Sequence, residues 1–97
     1  MEKIDLFKTS LQETYPPFSL SAALQALWYD AKGDWDKAHD LAQEKEDLAG
    51  NWVHAYLHRK EGDQFNASYW YRRAQQPVCS LTLEEEWEEI TQALLNQ

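Results

Sequence analysis

Two histidines in the middle of the chain, His54 and His58, stand four residues apart. In a helix this spacing puts both imidazole rings on one face. Two such rings can bind one zinc or similar ion if a third ligand comes from elsewhere, and His39, Asp63 or Asp36 could supply it. The alternative is structural, with one histidine bonded to a neighbouring helix and the other solvated or packed against an aromatic ring. No His-Glu-x-x-His pattern is present, so a metalloprotease is not indicated.

Three arginines and two aromatic residues of the same segment offer a second chemistry, the binding of an anion: Arg59, Arg72, Arg73, Tyr69 and Trp70. A guanidinium group forms paired hydrogen bonds with a carboxylate or a phosphate, and it stacks on aromatic faces. The tyrosine and the tryptophan would add stacking area. These features predict a site for an acidic peptide or a small anionic ligand, to which the histidines would also donate hydrogen bonds.

Each of these polar residues also has a structural interpretation. The arginines could pair with acidic residues of the next turn or of the preceding helix: Glu61, Asp63, Asp40 and Glu44. Asn66 is a poor helix former one turn into its helix, so it could brace the turn before it or hold the backbone of a peptide. The full set of predicted ligand-binding residues is His54, His58, Arg59, Asn66, Tyr69, Trp70, Arg72 and Arg73.

The charge distribution limits the partners that this chain can have. The formal net charge of the 97 residues is -8, and an acidic chain repels the phosphate backbone of nucleic acids. Residues 51–76 are an exception, because they carry four basic and two acidic side chains. This segment could attract an acidic peptide or a small anion, whereas we expect no nucleic-acid partner.

Cysteine content and hydropathy favour a cytoplasmic protein. Cys79 is the single cysteine, so an internal disulfide is impossible and a reducing compartment is expected. No apolar run approaches the roughly 20 residues of a membrane span, and the N-terminus lacks the features of a signal peptide. Neither a cysteine-enzyme signature nor a glycine-rich phosphate loop nor a nucleophile elbow occurs. No catalytic residue is predicted, and we expect neither a cofactor nor a membrane partner.

Apolar spacing and capping residues predict an all-α protein with about six helices. The expected helices cover about residues 3–14, 19–31, 34–45, 48–60 and 64–75, and a sixth follows a cap at Ser80 or Thr82. The second helix begins near Ser19 or Ser21. Trp87 is expected to anchor the sixth helix, with the first of its neighbouring glutamates at the positive helix N-terminus and the rest on a solvated face.

A repeat of 29 residues links two parts of the chain, because three residues return in the same order: Gly33, Asp34 and Ala38 as Gly62, Asp63 and Ala67. Paired helices with a Gly-Asp turn and a small residue five positions after the glycine resemble tetratricopeptide repeats. Ala26 and Ala55 stand where that family has a small residue on the first helix of a pair. Tyr29 and Tyr71 match its aromatic positions, whereas the equivalents His58 and Ala42 do not, and the period is shorter than the usual ~34 residues.

This resemblance covers about residues 20–78 and implies stacked antiparallel helix pairs in one domain. Residues 1–17 would then form an N-terminal capping helix, residues 18–78 two helical hairpins, and residues 79–97 a C-terminal capping helix. The segment 52–74 also resembles part of some small bacterial and fungal proteins of unassigned activity.

Together these features predict a small binding or interaction module whose site lies on the fourth and fifth helices, with help from His39 or Trp35 of the third. Its partner would be an acidic peptide, a partner protein or a small anionic ligand. Two other classes stay open: a metal-binding protein or enzyme centred on His54 and His58, and a structural subunit of a homo-oligomer. Two helix pairs are fewer than the three or so of a stable repeat array, which favours self-association.

Overall fold

The structure is a computed structural model that describes residues 2–97, and within them it contains helices and no strand. The six helices are α1 (Lys3–Ser10), α2 (Ala22–Ala31), α3 (Trp35–Ala42), α4 (Leu48–Lys60), α5 (Gln64–Arg73) and α6 (Leu83–Leu95). The predicted all-α class with six helices in stacked pairs is therefore confirmed. None of these helices combines the length and the apolar character needed to cross a bilayer.

Capping side chains set the starts of the helices. Ser21, Asp34, Asp47, Asp63 and Thr82 each accept a hydrogen bond from a backbone N–H of the first turn that follows. These N–H groups have no partner inside the helix, so a short polar side chain at this position stabilises it. At Thr82 the cap is reciprocal, since the side chain of Glu85 accepts from the backbone N–H of Thr82 at 3.1 Å.

α1 ends at Ser10, about four residues before the predicted end. The backbone N–H groups of residues 11–13 bond three residues back instead of four, which tightens the chain into turns. Lys32 Nζ then donates to the carbonyl oxygens of Leu11 and Glu13, at 2.6 and 3.0 Å. The carbonyl groups of Leu11 and Glu13 thus bond to a residue just after α2, and no local sequence pattern predicts this contact.

α3 and α5 also end a few residues earlier than predicted. α3 ends at Ala42, where its last turn meets α4: a Cβ atom at Gly50 would lie 2.6 Å from the carbonyl oxygen of Ala42. Glycine is therefore what permits this close approach. α5 ends at Arg73, and two residues later Gln75 takes the left-handed conformation, with a φ of 60°.

The 29-residue repeat is present in the backbone. Gly33 and Gly62 have φ values of 88° and 90°, in the left-handed region that glycine adopts without strain. After each glycine, the aspartate amide bonds to the carbonyl oxygen five residues back at 2.9 Å, from Asp34 and from Asp63. The four small residues expected at the helix crossings are completely buried: Ala26, Ala38, Ala55 and Ala67.

Two hairpins and a crossing helix make up the architecture. α2 packs on α3 and α4 packs on α5, while α4 also contacts α2 and α3. α6 does not form a further layer on α5, because it packs against α1, α2 and α4. The main core lies between these helices and is centred on Leu27, Trp28, Val53, Leu57 and Ile90.

α6 carries one tryptophan and one unexpectedly buried glutamate. Trp87 anchors the helix as predicted, because its Nε1 donates to the carbonyl oxygen of Leu27 at 2.9 Å. Glu86, in the first turn of this helix, is 0% exposed, a burial that the sequence analysis did not predict. Four residues before the buried Ile90, it lies on the inward face. Its carboxylate pairs with Arg59 at 2.8 Å and accepts from the hydroxyl of Tyr71.

Candidate metal centre

Three imidazole rings meet between α3 and α4. His39 comes from α3, and His54 and His58 come from successive turns of α4. The ring centroids are 4.6 Å apart for His39 and His54, 4.8 Å for His54 and His58, and 5.2 Å for His39 and His58. One nitrogen from each ring can be chosen so that all three lie within 4.8 Å of one another. Of the three candidates for a third ligand, the fold therefore brings His39 to the other two histidines.

Two tryptophans enclose this cluster of His39, His54 and His58, here called the histidine cluster. Trp35 stacks on His39 with a centroid distance of 4.9 Å, and Trp70 stacks on His54 at 4.0 Å. The indole of Trp35 is fixed in turn, because its Nε1 donates to the carbonyl oxygen of Leu57 at 3.0 Å. The rings of His39 and His54 are thus held in place by packing against one indole each.

Burial keeps His54 uncharged at neutral pH. The residue is 4% exposed, and this desolvation, together with the nearby His39 and His58, lowers its pKa to about 4. Burial and the proximity of His58 lower the pKa of His39 as well. Nε2 of His39 and Nε2 of His54 are 3.0 Å apart, so in the metal-free state one of them donates its N–H to the other. Neutral imidazole is the form of histidine that binds a metal ion.

Glu61 orients the third ring. Its Oε2 lies 2.6 Å from Nδ1 of His58, which makes Nδ1 the protonated nitrogen and leaves Nε2 as the free ligand atom. A carboxylate in this position is the usual outer partner of a metal-binding histidine, because it fixes the ring and raises the basicity of the other nitrogen. The histidine cluster therefore has three candidate metal ligands and, in Glu61, one carboxylate that would orient a ligand from outside the coordination sphere.

The spacing of the nitrogens is close to what a metal ion requires. Two imidazole nitrogens bound to one tetrahedral ion at roughly 2.0–2.1 Å are about 3.3 Å apart. The observed 3.0 Å between His39 and His54 is near this value, and a rotation of the His58 side chain would bring in the third nitrogen. Three protein ligands leave a fourth position for water or a partner molecule.

A second group of candidate ligands, formed by His58, Glu61 and Asp63, is less suitable. Asp63 is the N-cap of α5, and its two carboxylate oxygens accept from the backbone N–H and the side-chain amide of Asn66, at 3.1 and 2.7 Å. These bonds lower the pKa of Asp63, and they occupy the oxygens that a metal ion would need.

Three of the predicted ligand-binding residues lie beside the histidine cluster. Trp70 forms one of its walls, and the Arg73 guanidinium lies over the Trp70 ring at 5.3 Å and the Tyr69 ring at 5.6 Å. Arg73 also donates to the hydroxyl of Tyr69 at 3.2 Å and forms an ion pair with Glu46. Its expected partners, Asp40 of α3 and Glu44 of the loop that follows, are thus replaced by Glu46 of the same loop.

The other three predicted residues do not join the cluster. Arg59 turns toward α6, where it pairs with Glu86 and donates to the carbonyl oxygen of Leu81. Asn66 donates its side-chain amide to Asp63 and so braces the turn before α5, the structural alternative to binding a peptide backbone. Arg72 is exposed, and it forms no ion pair or side-chain hydrogen bond within residues 2–97.

A buried polar group on the other side of α4 was missed in the sequence. Asp30 is 4% exposed, and its carboxylate accepts from the hydroxyl of Tyr56 and from Nζ of Lys60, each at 2.8 Å. The one signal for it was an aspartate among the apolar residues that end α2.

Comparison of the chain with protein-family models, with curated proteins and with solved structures finds no match.

Proposed function

We propose that this protein binds a transition-metal ion through the histidine cluster, with His39, His54 and His58 as ligands. The observation that supports this proposal best is the convergence of three imidazoles from two helices, with candidate nitrogens within 4.8 Å of one another. Imidazole suits zinc, copper and nickel, whereas calcium and magnesium prefer oxygen ligands.

The third ring and its carboxylate partner favour this function over a purely structural cluster. A proton and a metal ion compete for the same nitrogen, so a pKa of about 4 at His54 removes that competition at neutral pH. A structural pair would be complete with the bond between His39 and His54, and it would need neither the third ring nor the carboxylate of Glu61. The rings of His39 and His54 are held by packing against Trp35 and Trp70 before a metal ion arrives, which reduces the entropic cost of binding it.

Titration calorimetry with Zn²⁺, Cu²⁺ and Ni²⁺ on the chelator-treated protein tests the proposal. One ion per chain is expected, and the His54→Phe variant should lose the binding. The Glu61→Gln variant should bind roughly 10- to 100-fold more weakly, which is the usual effect of removing an outer partner. Co²⁺ in place of zinc should give the visible absorption of a tetrahedral complex.

The chain carries many exposed carboxylates, and they are the main source of unspecific binding. The control is therefore Glu44→Gln, which removes an exposed carboxylate and leaves the cluster intact. Equal binding by the wild type and by His54→Phe would refute the metal proposal and assign the observed affinity to surface acids.

A second candidate is the expected site for an acidic peptide or a small anion on α5. Tyr69 is 41% exposed, Arg72 is exposed near it in sequence, and Arg73 faces solvent while bound to Glu46. An acidic peptide could displace the Glu46 carboxylate, since an exposed ion pair contributes little to stability. A glutamate-rich peptide should then bind the wild type more tightly than the Arg72→Gln/Arg73→Gln variant at low salt. Unchanged binding in that variant, relative to Lys37→Gln as control, excludes this surface.

A further inference from the structure

The histidine cluster supplies three ligands for a metal ion, and the side chains around it leave the fourth to another molecule. Within residues 2–97, this candidate ligand group includes no carboxylate and no thiol. The carboxylates beside His58 already have partners, because Glu61 accepts from Nδ1 of His58 and Asp63 accepts from Asn66. A zinc ion with three protein ligands keeps its fourth position for water or for a ligand from outside.

The cluster is accessible from the side of His39 and His58. His54 is 4% exposed, whereas the other two residues are half-buried. The side chain of His58 is 12% exposed, so solvent reaches this ring over a small area. A ligand from outside would therefore have to present a small group at the end of its chain.

Charge selects an anion for the fourth position. Neutral imidazoles bring no negative charge, so a divalent ion bound by three of them would keep a charge that burial makes unfavourable. Glu61 offsets this charge in part through His58, while Asp36 and Asp40, near His39 in sequence, are exposed and screened by solvent. A carboxylate is small and negatively charged, and its oxygen is a common ligand of zinc.

We infer that the metal-loaded histidine cluster binds a carboxylate of another molecule as its fourth ligand. The inference rests on the proposed metal function, because the positive charge that attracts the anion is that of the ion. Arg73 does not provide it, since its guanidinium already pairs with Glu46. A small organic acid and an acidic side chain of a peptide both present this group.

The visible spectrum of the Co²⁺-loaded protein tests the inference, because the absorption of cobalt changes when one of its ligands changes. At constant ionic strength, acetate and a glutamate-rich peptide should each change the spectrum until saturation, whereas acetamide should not. Tighter binding of the peptide, per carboxylate, identifies a side chain as the ligand, and equal or tighter binding of acetate identifies a small acid. A spectrum that neither carboxylate changes, or that inorganic phosphate changes at lower concentration, would overturn the inference.

Calorimetry and the metal-free protein separate this inference from the two candidate functions. If no ion binds to the cluster, the metal proposal and this inference both fail, whereas bound cobalt that takes no carboxylate refutes this inference alone. Peptide that binds equally well to the metal-free and the Co²⁺-loaded protein would belong to the surface of α5 and would also overturn it.

The Glu61→Gln variant locates the contact. At saturating Co²⁺ it should bind acetate up to about fivefold more tightly, because a partly screened negative charge beside the ion is removed. The matched control Glu44→Gln removes an exposed carboxylate of the loop between α3 and α4, and it should bind acetate as the wild type does. Equal or weaker binding by Glu61→Gln would place the acetate away from the cluster, against the inference.

Discussion

Replacing Arg59 with methionine is expected to destabilise the protein by about 3–5 kcal/mol, the usual effect of leaving a buried charge without its partner. The side chain of Glu86 is 1% exposed, and Arg59 is the basic group that pairs with it within residues 2–97. Arg59 also donates to the carbonyl oxygen of Leu81, just before α6. The change should lower the midpoint of urea unfolding and leave its slope unchanged, because the surface exposed on unfolding is the same.

Two further variants separate this explanation from a general loss of packing. The Arg59→Met/Glu86→Gln variant removes both charges and keeps the acceptor for Tyr71, so most of the lost free energy of unfolding should return. Arg72→Met removes an exposed arginine from the neighbouring helix and should change stability by no more than about 0.5 kcal/mol. A double variant as unstable as Arg59→Met would show that the ion pair is not the cause.

Acidification is expected to remove about 3 kcal/mol of stability through His54, since each pKa unit between the folded and unfolded states corresponds to roughly 1.4 kcal/mol. Its pKa is about 4 in the folded protein and near 6.5 in the unfolded chain. Between these values the unfolded chain binds a proton that the folded protein does not, so the free energy of unfolding falls as the pH decreases. The contribution is complete above pH 6.5 and is lost progressively down to about pH 4. The lowered pKa of His39 acts in the same direction.

Urea unfolding of the metal-free protein at several pH values between about 4 and 8 measures this effect. Carboxylates such as Asp63 and Glu85 have lowered pKa values and also favour unfolding in acid, so the wild type alone is not sufficient. His54→Phe keeps a flat ring against Trp70 and does not titrate. Its stability should depend less steeply on pH between 6.5 and about 4, and equal slopes for the two proteins would contradict the assignment.

Local signals predicted most of the helix positions. The structure has α4 at Leu48–Lys60, within the limits expected from Asp47 and from the Gly62 turn. A cap and a left-handed glycine act within one turn of the helix that they bound, so the sequence alone is sufficient. The early end of α1 was not predicted in this way, and the carbonyl groups of the turns that follow it bond to Lys32, from a distant part of the chain.

The candidate site was predictable in part for the same reason. The spacing of His54 and His58 is a property of one helix, and it indicated a shared face directly. His39 stood as one of three candidate ligands, since the choice among them depends on how α3 crosses α4. Arg59 follows His58 in sequence, and this suggested that Arg59 belongs to the same site. One step along a helix turns a side chain by about 100°, however. This rotation directs Arg59 to Glu86 on α6, a helix whose position no local sequence pattern predicts.

The position of α6 determines the order in which the chain can fold. Each hairpin forms between neighbouring helices, whereas α6 is tied by contacts across 27, 60 and 80 residues: Arg59 with Glu86, Leu27 with Trp87 and Lys8 with Glu88. Closing such long loops is slow until both ends are already structured, so we expect α6 to dock after the hairpins. Undocking of α6 would expose the buried carboxylate of Glu86 to water. Because α6 contacts both α2 and α4, it joins the two local hairpins through one shared core.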